Sequence, residues 1–174
     1  MLKGNALIHR RVISRDGGEE VGKVQDLVID QKGSQVLGLL VDQKGLLRGV
    51  HAIRWAAILS ISEDVLIIDS KTSVVKASEV PEMKDVLDRG NVLDGVHVRT
   101  TDGRDLGKFE AFYIDEKSGK ILGYELSGGA QGKRRSRTFL PTPDSFEAGK
   151  DVAFVSPEVA DTVRGLDEAL KQGH

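Results

Sequence analysis

The stretch GEEVGKVQDLVIDQKGSQVLGLLV, from Gly18 to Val41, has a counterpart in GRDLGKFEAFYIDEKSGKILGYEL, from Gly103 to Leu126. The two align without a gap at an offset of 85 positions. Gly18, Gly22, Lys23, Ile29, Asp30, Lys32, Leu37 and Gly38 recur as Gly103, Gly107, Lys108, Ile114, Asp115, Lys117, Leu122 and Gly123. A glycine marks a backbone conformation or close approach that a side chain would prevent, so three in register indicate a repeated backbone. A second block follows at an offset of 87, where Asp64 to Ile68 is answered by Asp151 to Val155 and Ile53 by Leu140. The chain is an internal duplication, and the fold of one copy is the fold of both.

Within the first copy, Val21 to Ile29 is rich in β-branched and apolar residues, Asp30-Gln31-Lys32-Gly33 is a turn, and Val36 to Val41 is a second β run. These should pair antiparallel. Trp55 to Ile61 leads through Ser62-Glu63-Asp64 into Val65 to Ile68, which predicts a further hairpin. Many short strands at close spacing predict a mainly β protein of two tandem small antiparallel barrels. A short helix is expected after each, because Pro81-Glu82-Met83-Lys84-Asp85 is matched by Pro157-Glu158-Val159-Ala160-Asp161. Pro81 to Arg89 presents Met83, Val86 and Leu87 on one face. In the second copy Ser156 is the expected N-cap, and Val159, Val163, Leu166 and Leu170 form the apolar stripe of a C-terminal helix weakened by Gly165. The expected limits are a first domain at 1–80, a helical linker at 81–91 and a second domain at 92–174.

Composition narrows the function classes. Of the 174 residues 39% are hydrophobic and 30% charged, which suits packed cores and a globular chain. The 25 Lys and Arg nearly balance 27 Asp and Glu, so neither a general nucleic-acid coat nor a polybasic membrane binder is expected. With no cysteine, disulfides, thiolate zinc sites and cysteine nucleophiles are excluded. No segment approaches the roughly 20 apolar residues that span a bilayer. The expectation is a cytoplasmic protein.

The two quoted stretches resemble the opening of a PRC-barrel domain. The most specific part is Gly-Lys-Val-x-Asp-Leu-x-Ile-Asp, from Gly22 to Asp30, followed by a turn and a Val-x-Gly strand. The second copy departs from it at Ala111, which stands where the first has Asp26, and at Pro141, opposite Arg54. The resemblance implies a small, largely antiparallel β-barrel. It also implies docking onto larger assemblies, as for the cytoplasmic part of the photosynthetic reaction-centre H subunit and the C-terminal domain of the RimM ribosome-maturation factor.

Site motifs are sparse. Gly18-x-x-x-Gly22-Lys23 lacks the spacing, the Ser/Thr and the helix of a phosphate loop. Asp30 and Asp115 recur at a strand end, where turn capping explains them. His9, His51, His97 and His174 do not recur between copies and have no metal-ligand spacing. No nucleophile turn, two-histidine helix or dinucleotide fingerprint is present. The expectation is a protein that is not an enzyme and has no cofactor. Lys133, Arg134, Arg135 and Arg137 form a basic run where the first copy has the apolar Leu46 and Leu47, and they suit RNA or an acidic protein face. Trp55 is the single tryptophan and a candidate interface anchor. The leading expectation is a binding or scaffold module for a protein or ribonucleoprotein. The alternatives are an RNA-associated factor in ribosome maturation or RNA metabolism, and a small-molecule or metal-binding protein with a site between the barrels. Homo-oligomerisation suits any of the three.

Overall fold

A computed structural model describes the chain except for residues 31, 33, 43–48, 90–92, 94, 130–135, 150 and 174. The predicted β runs become two sheets. After β1 (Leu2–Lys3), the first repeat contributes β2 (Arg11–Ser14), β3 (Glu20–Asp30), β4 (Gln35–Asp42), β5 (His51–Arg54), β6 (Ile58–Ile61), β7 (Val65–Ile68) and β8 (Val74–Lys76), followed by α1 (Pro81–Arg89). The second contributes β9 (His97–Thr100), β10 (Asp105–Ile114), β11 (Ile121–Ser127), β12 (Arg137–Pro141), β13 (Glu147–Ala148), β14 (Val152–Val155) and β15 (Arg164–Gly165), followed by α2 (Leu166–Gln172). Strand order is β6-β7-β2-β3-β4-β5-β8 in one sheet and β13-β14-β9-β10-β11-β12-β15 in the other, the same order with every label raised by seven. Neither hydrogen-bonded path closes on itself among the described residues.

Duplication extends to the irregularities. The β3–β4 ladder is interrupted between Val24 and Asp26, and the β10–β11 ladder at the equivalent Phe109 and Ala111. Gly22 lies opposite Val12 and Gly107 opposite Val98, so the two glycines occupy equivalent strands. At Gly107 the reason for glycine is direct: φ is +113°, and a Cβ would lie 2.6 Å from the Ser127 carbonyl oxygen. The turn aspartates also act as expected. Asp30 Oδ1 accepts the Lys32 N–H at 3.1 Å, and Asp115 Oδ1 accepts the Lys117 and Ser118 N–H groups at 2.9 and 2.8 Å.

Between the repeats runs a seam built from equivalent atoms. Gln35 bridges Lys120, the Val36 N–H donates to Gly119 O at 2.9 Å, and the Ile121 N–H donates to Ser34 O at 2.8 Å. Exchanging the repeats turns each of these bonds into the other, so an approximate two-fold axis passes through the bridge. Behind the seam one hydrophobic core serves both halves, with Val24, Leu39, Ile53 and Leu66 in the same cluster as Phe109, Ile114, Leu126 and Leu140. A small barrel buries too little apolar surface to be comfortably stable alone, and pooling two cores offsets that deficit.

The outer faces differ. In the first repeat α1 lays Met83 and Val86 over Val28 and Ala52. Gly38 admits the helix, since a Cβ there would be 2.4 Å from Met83 Cε. The second repeat replaces Val28 by Tyr113 and Ala52 by Phe139, and Gly123 makes room for the Phe139 ring, which would lie 2.2 Å from a Cβ. Ala169 of α2 packs on these rings with Met1, Leu166 and Leu170. Met1 reaches α2 because the N-terminal arm crosses to the other repeat, where Leu2 and Lys3 pair with Ile114 and Tyr113 of β10.

The sheets are largely antiparallel as expected, each with one parallel pair, β2 with β7 and β9 with β14. Two expectations are corrected. The C-terminal helix does not run on from Pro157: Pro157–Thr162 is a 3-10 helix and Ser156 makes no side-chain cap. Arg164 and Gly165 are then extended and paired with Phe139 and Thr138 before α2 starts. Pairing with β12 overrides the helical periodicity, so Val159 and Val163 join the shared core while Leu166 and Leu170 pack with Tyr113 and Phe139. Finally, the two Pro-Glu-x-x-Asp segments are not equivalent, because Pro81 opens a helix after β8 whereas Pro157 opens one before β15.

Candidate functional site

Where the long strands β3 and β10 come together, the repeats leave a cleft of about 360 Å³. Ile8 and Leu93, Asp26 and Ala111, and Leu27 and Phe112 line it as equivalent pairs, so the cleft straddles the approximate two-fold. Its floor is apolar and aromatic. Leu27, Ile29, Phe109 and Tyr124 are buried, and the Phe109 and Tyr124 rings meet edge to face with centroids 5.0 Å apart. Burial pushes the Tyr124 phenol up to about 12, against a counteracting hydrogen bond with the Ser34 side chain. Tyr124 is therefore a neutral wall of the cleft at physiological pH.

Polar groups stand at the rim. Asn5, Asp26 and Glu110 are exposed there. Glu110 sits at the bulge of β10, where the extra residue re-aims a side chain. Asp26 Oδ1 accepts the Leu27 N–H at 2.8 Å, and Glu110 Oε1 accepts the Ser127 hydroxyl. Among the described residues neither carboxylate has a salt-bridge partner, and none of those lining the cleft is a Lys, Arg or His. Two carboxylates over an aromatic floor can attract a cation and bury apolar surface beneath it.

A second polar cluster lies under the N-terminal arm. Glu125, on β11, is completely buried where the first repeat has Leu40. Its Oε2 meets Lys3 Nζ at 2.7 Å and accepts the Tyr113 hydroxyl at 3.1 Å, while Oε1 accepts from Arg137. Burial pushes the carboxyl up, but bonding to Lys3, to Tyr113 and the Arg137 charge together bring it below the usual glutamate range. Tyr113 is pushed up to about 12 by burial and by the adjacent Glu125.

The residues singled out from sequence divide unevenly. Trp55, the candidate interface anchor, is 7% exposed, and a Cβ on Gly119 of the other repeat would lie 2.8 Å from its Cδ1. Its ring is used at the inter-repeat seam. Arg137 donates through Nη1 to Glu125 Oε1, and its side chain is 57% exposed. Lys133, Arg134, Arg135, Leu46 and Leu47 lie outside the described residues. Asp26 and Glu110 were not singled out as a pair. The available signal was the exchange of Asp26 for Ala111, the one acid lost from an otherwise well-matched strand. Glu125 had a similar signal, a charge where the other copy is apolar.

The PRC-barrel domain profile matches residues 1–75 and again residues 86–159. The chain belongs to the PRC-barrel family. It is a tandem member, with one match over most of each repeat traced by strand order, the second ending before β15. No curated protein is found to match it. Among the described residues no helix is long and apolar enough to cross a membrane, and no group of three His, Asp or Glu side chains is arranged to hold a metal ion.

Proposed function

We propose that this tandem PRC-barrel protein is a non-enzymatic docking module that holds a protein partner at the cleft between its repeats. The observation that carries this reading is the cleft itself, with its aromatic floor and its rim of carboxylates that lack a salt-bridge partner among the described residues. The floor and the rim carboxylates lie on strands joined through the seam and the common core, so the cleft is formed before a partner arrives, which lowers the entropic cost of binding. Ala111 offers a test because its small side chain leaves part of the cleft open. Full-length parent and Ala111→Trp protein are used to capture partners from native lysate with and without nuclease treatment. A partner retained by the parent and lost from the variant, with equal thermal stability of the two, supports cleft docking. Identical captured sets overturn it, and a partner lost on nuclease treatment alone points to RNA.

A further inference from the structure

We infer that the cleft recognises a basic-apolar segment of that partner, an arginine flanked by aliphatic side chains; this rests on the docking reading and names what the cleft would take. Charge is the first reason: Asp26 comes from one repeat and Glu110 from the other, both lie at the rim, and neither is neutralised by a described cation. In the aligned strands the acids are not equivalent, since Ala111 stands opposite Asp26 and Gln25 opposite Glu110. The duplicated frame is symmetric while its charge is not, so a partner is held in one orientation.

Shape is the second reason. A volume of about 360 Å³ corresponds to roughly a dozen waters, room for a few side chains and too little for a helix of about 10 Å diameter. Through the cleft-lining residues β3 is paired with β4 and β10 with β11, and side chains of both strands line the cleft. Side chains can therefore carry the recognition. A guanidinium can bond the rim carboxylates and lie against the half-buried Phe112 ring, and it carries a weaker hydration shell than an ammonium. Half-buried Ile8 and Ala111 then cover its aliphatic neighbours.

The test uses isotope-labelled full-length protein titrated with acetyl-Leu-Arg-Leu-amide, with the same peptide carrying citrulline for arginine, and with putrescine. Saturable amide shifts at Asn5, Ile8, Asp26, Leu27 and Phe109 to Phe112 are expected, with the citrulline peptide about tenfold weaker. Asp26→Asn with Glu110→Gln should abolish the preference for arginine. Each amide keeps the acceptor oxygen that bonds Leu27 or Ser127, so the melting temperature should stay at the parent value. Absence of saturation, shifts elsewhere, equal binding of citrulline, or a preference retained by the double variant overturns the inference. Putrescine bound as tightly as the arginine peptide overturns it in favour of a small-polyamine site. If the peptide fails while Ala111→Trp still loses a partner, docking survives and the basic segment does not.

Discussion

Glu125 should be the most sensitive electrostatic position in the protein. Replacing both Lys3 and Arg137 by Met removes its two cations while keeping most of their aliphatic length, leaving a fully buried carboxylate with only the Tyr113 hydroxyl among its described partners. Orphaning a buried charge costs about 3–5 kcal/mol. The Lys3 side chain is 31% exposed and that of Arg137 57%, so water screens part of each pair. Either single replacement should therefore cost less, about 1–2 kcal/mol, because the other cation remains. The costs should not add, since both act on one carboxylate. Adding Glu125→Leu installs the residue that the first repeat carries as Leu40, and stability should return to within about 1 kcal/mol of the parent. Urea unfolding of the singles, the double and the triple measures these differences as midpoint shifts at constant slope. A double variant within about 0.5 kcal/mol of the parent, or a triple as unstable as the double, refutes the electrostatic account.

Acid should weaken the fold through the same group: folding lowers the Glu125 pKa, so its contribution is complete above the unfolded value of about 4.3 and disappears as pH falls through the folded one. Glu125→Gln should flatten that limb of the stability profile. At the alkaline end Tyr113 and Tyr124, both near 12, contribute fully below the unfolded value of about 10 and lose that contribution as pH rises from there towards 12, which tyrosinate absorbance followed beside circular dichroism will show. Gly107→Ala should cost about 1–3 kcal/mol from its positive φ and the Ser127 oxygen, whereas Gly165→Ala, with open space around it, should be neutral or slightly stabilising in the same urea assay. Lys133→Ala, Arg134→Ala and Arg135→Ala together should leave the melting temperature unchanged, and adding Arg137→Ala should lower it by several degrees. If the triple variant also binds single-stranded RNA more weakly, with a log-log salt slope shallower by about 0.7 per lost phosphate contact, the run serves RNA; unchanged binding removes that role.

Repetition made much of the fold legible in the chain. Gly22 and Gly107, the turn acids Asp30 and Asp115, and the alternating strands around them report local backbone requirements, and these are satisfied within a few residues of where they are written. Comparison of the copies also exposed one informative difference, Asp26 against Ala111, and the alignment holds a second, Leu40 against Glu125, but not the consequences of either. Those depend on groups distant in sequence. Trp55 reads as a lone tryptophan, and only the fold brings Gly119 of the other repeat against its ring. Arg137 reads as one charge of a basic loop until Lys3 and Tyr113 are seen to share its carboxylate partner. The cleft belongs to neither copy and exists because two similar barrels met face to face. Local patterns specify strands and turns, since backbone sterics and hydrogen bonds act over neighbouring residues. Which charges are buried together, and which aromatics become a floor, depends on the packing of two halves some 85 residues apart, and only the tertiary structure decided it.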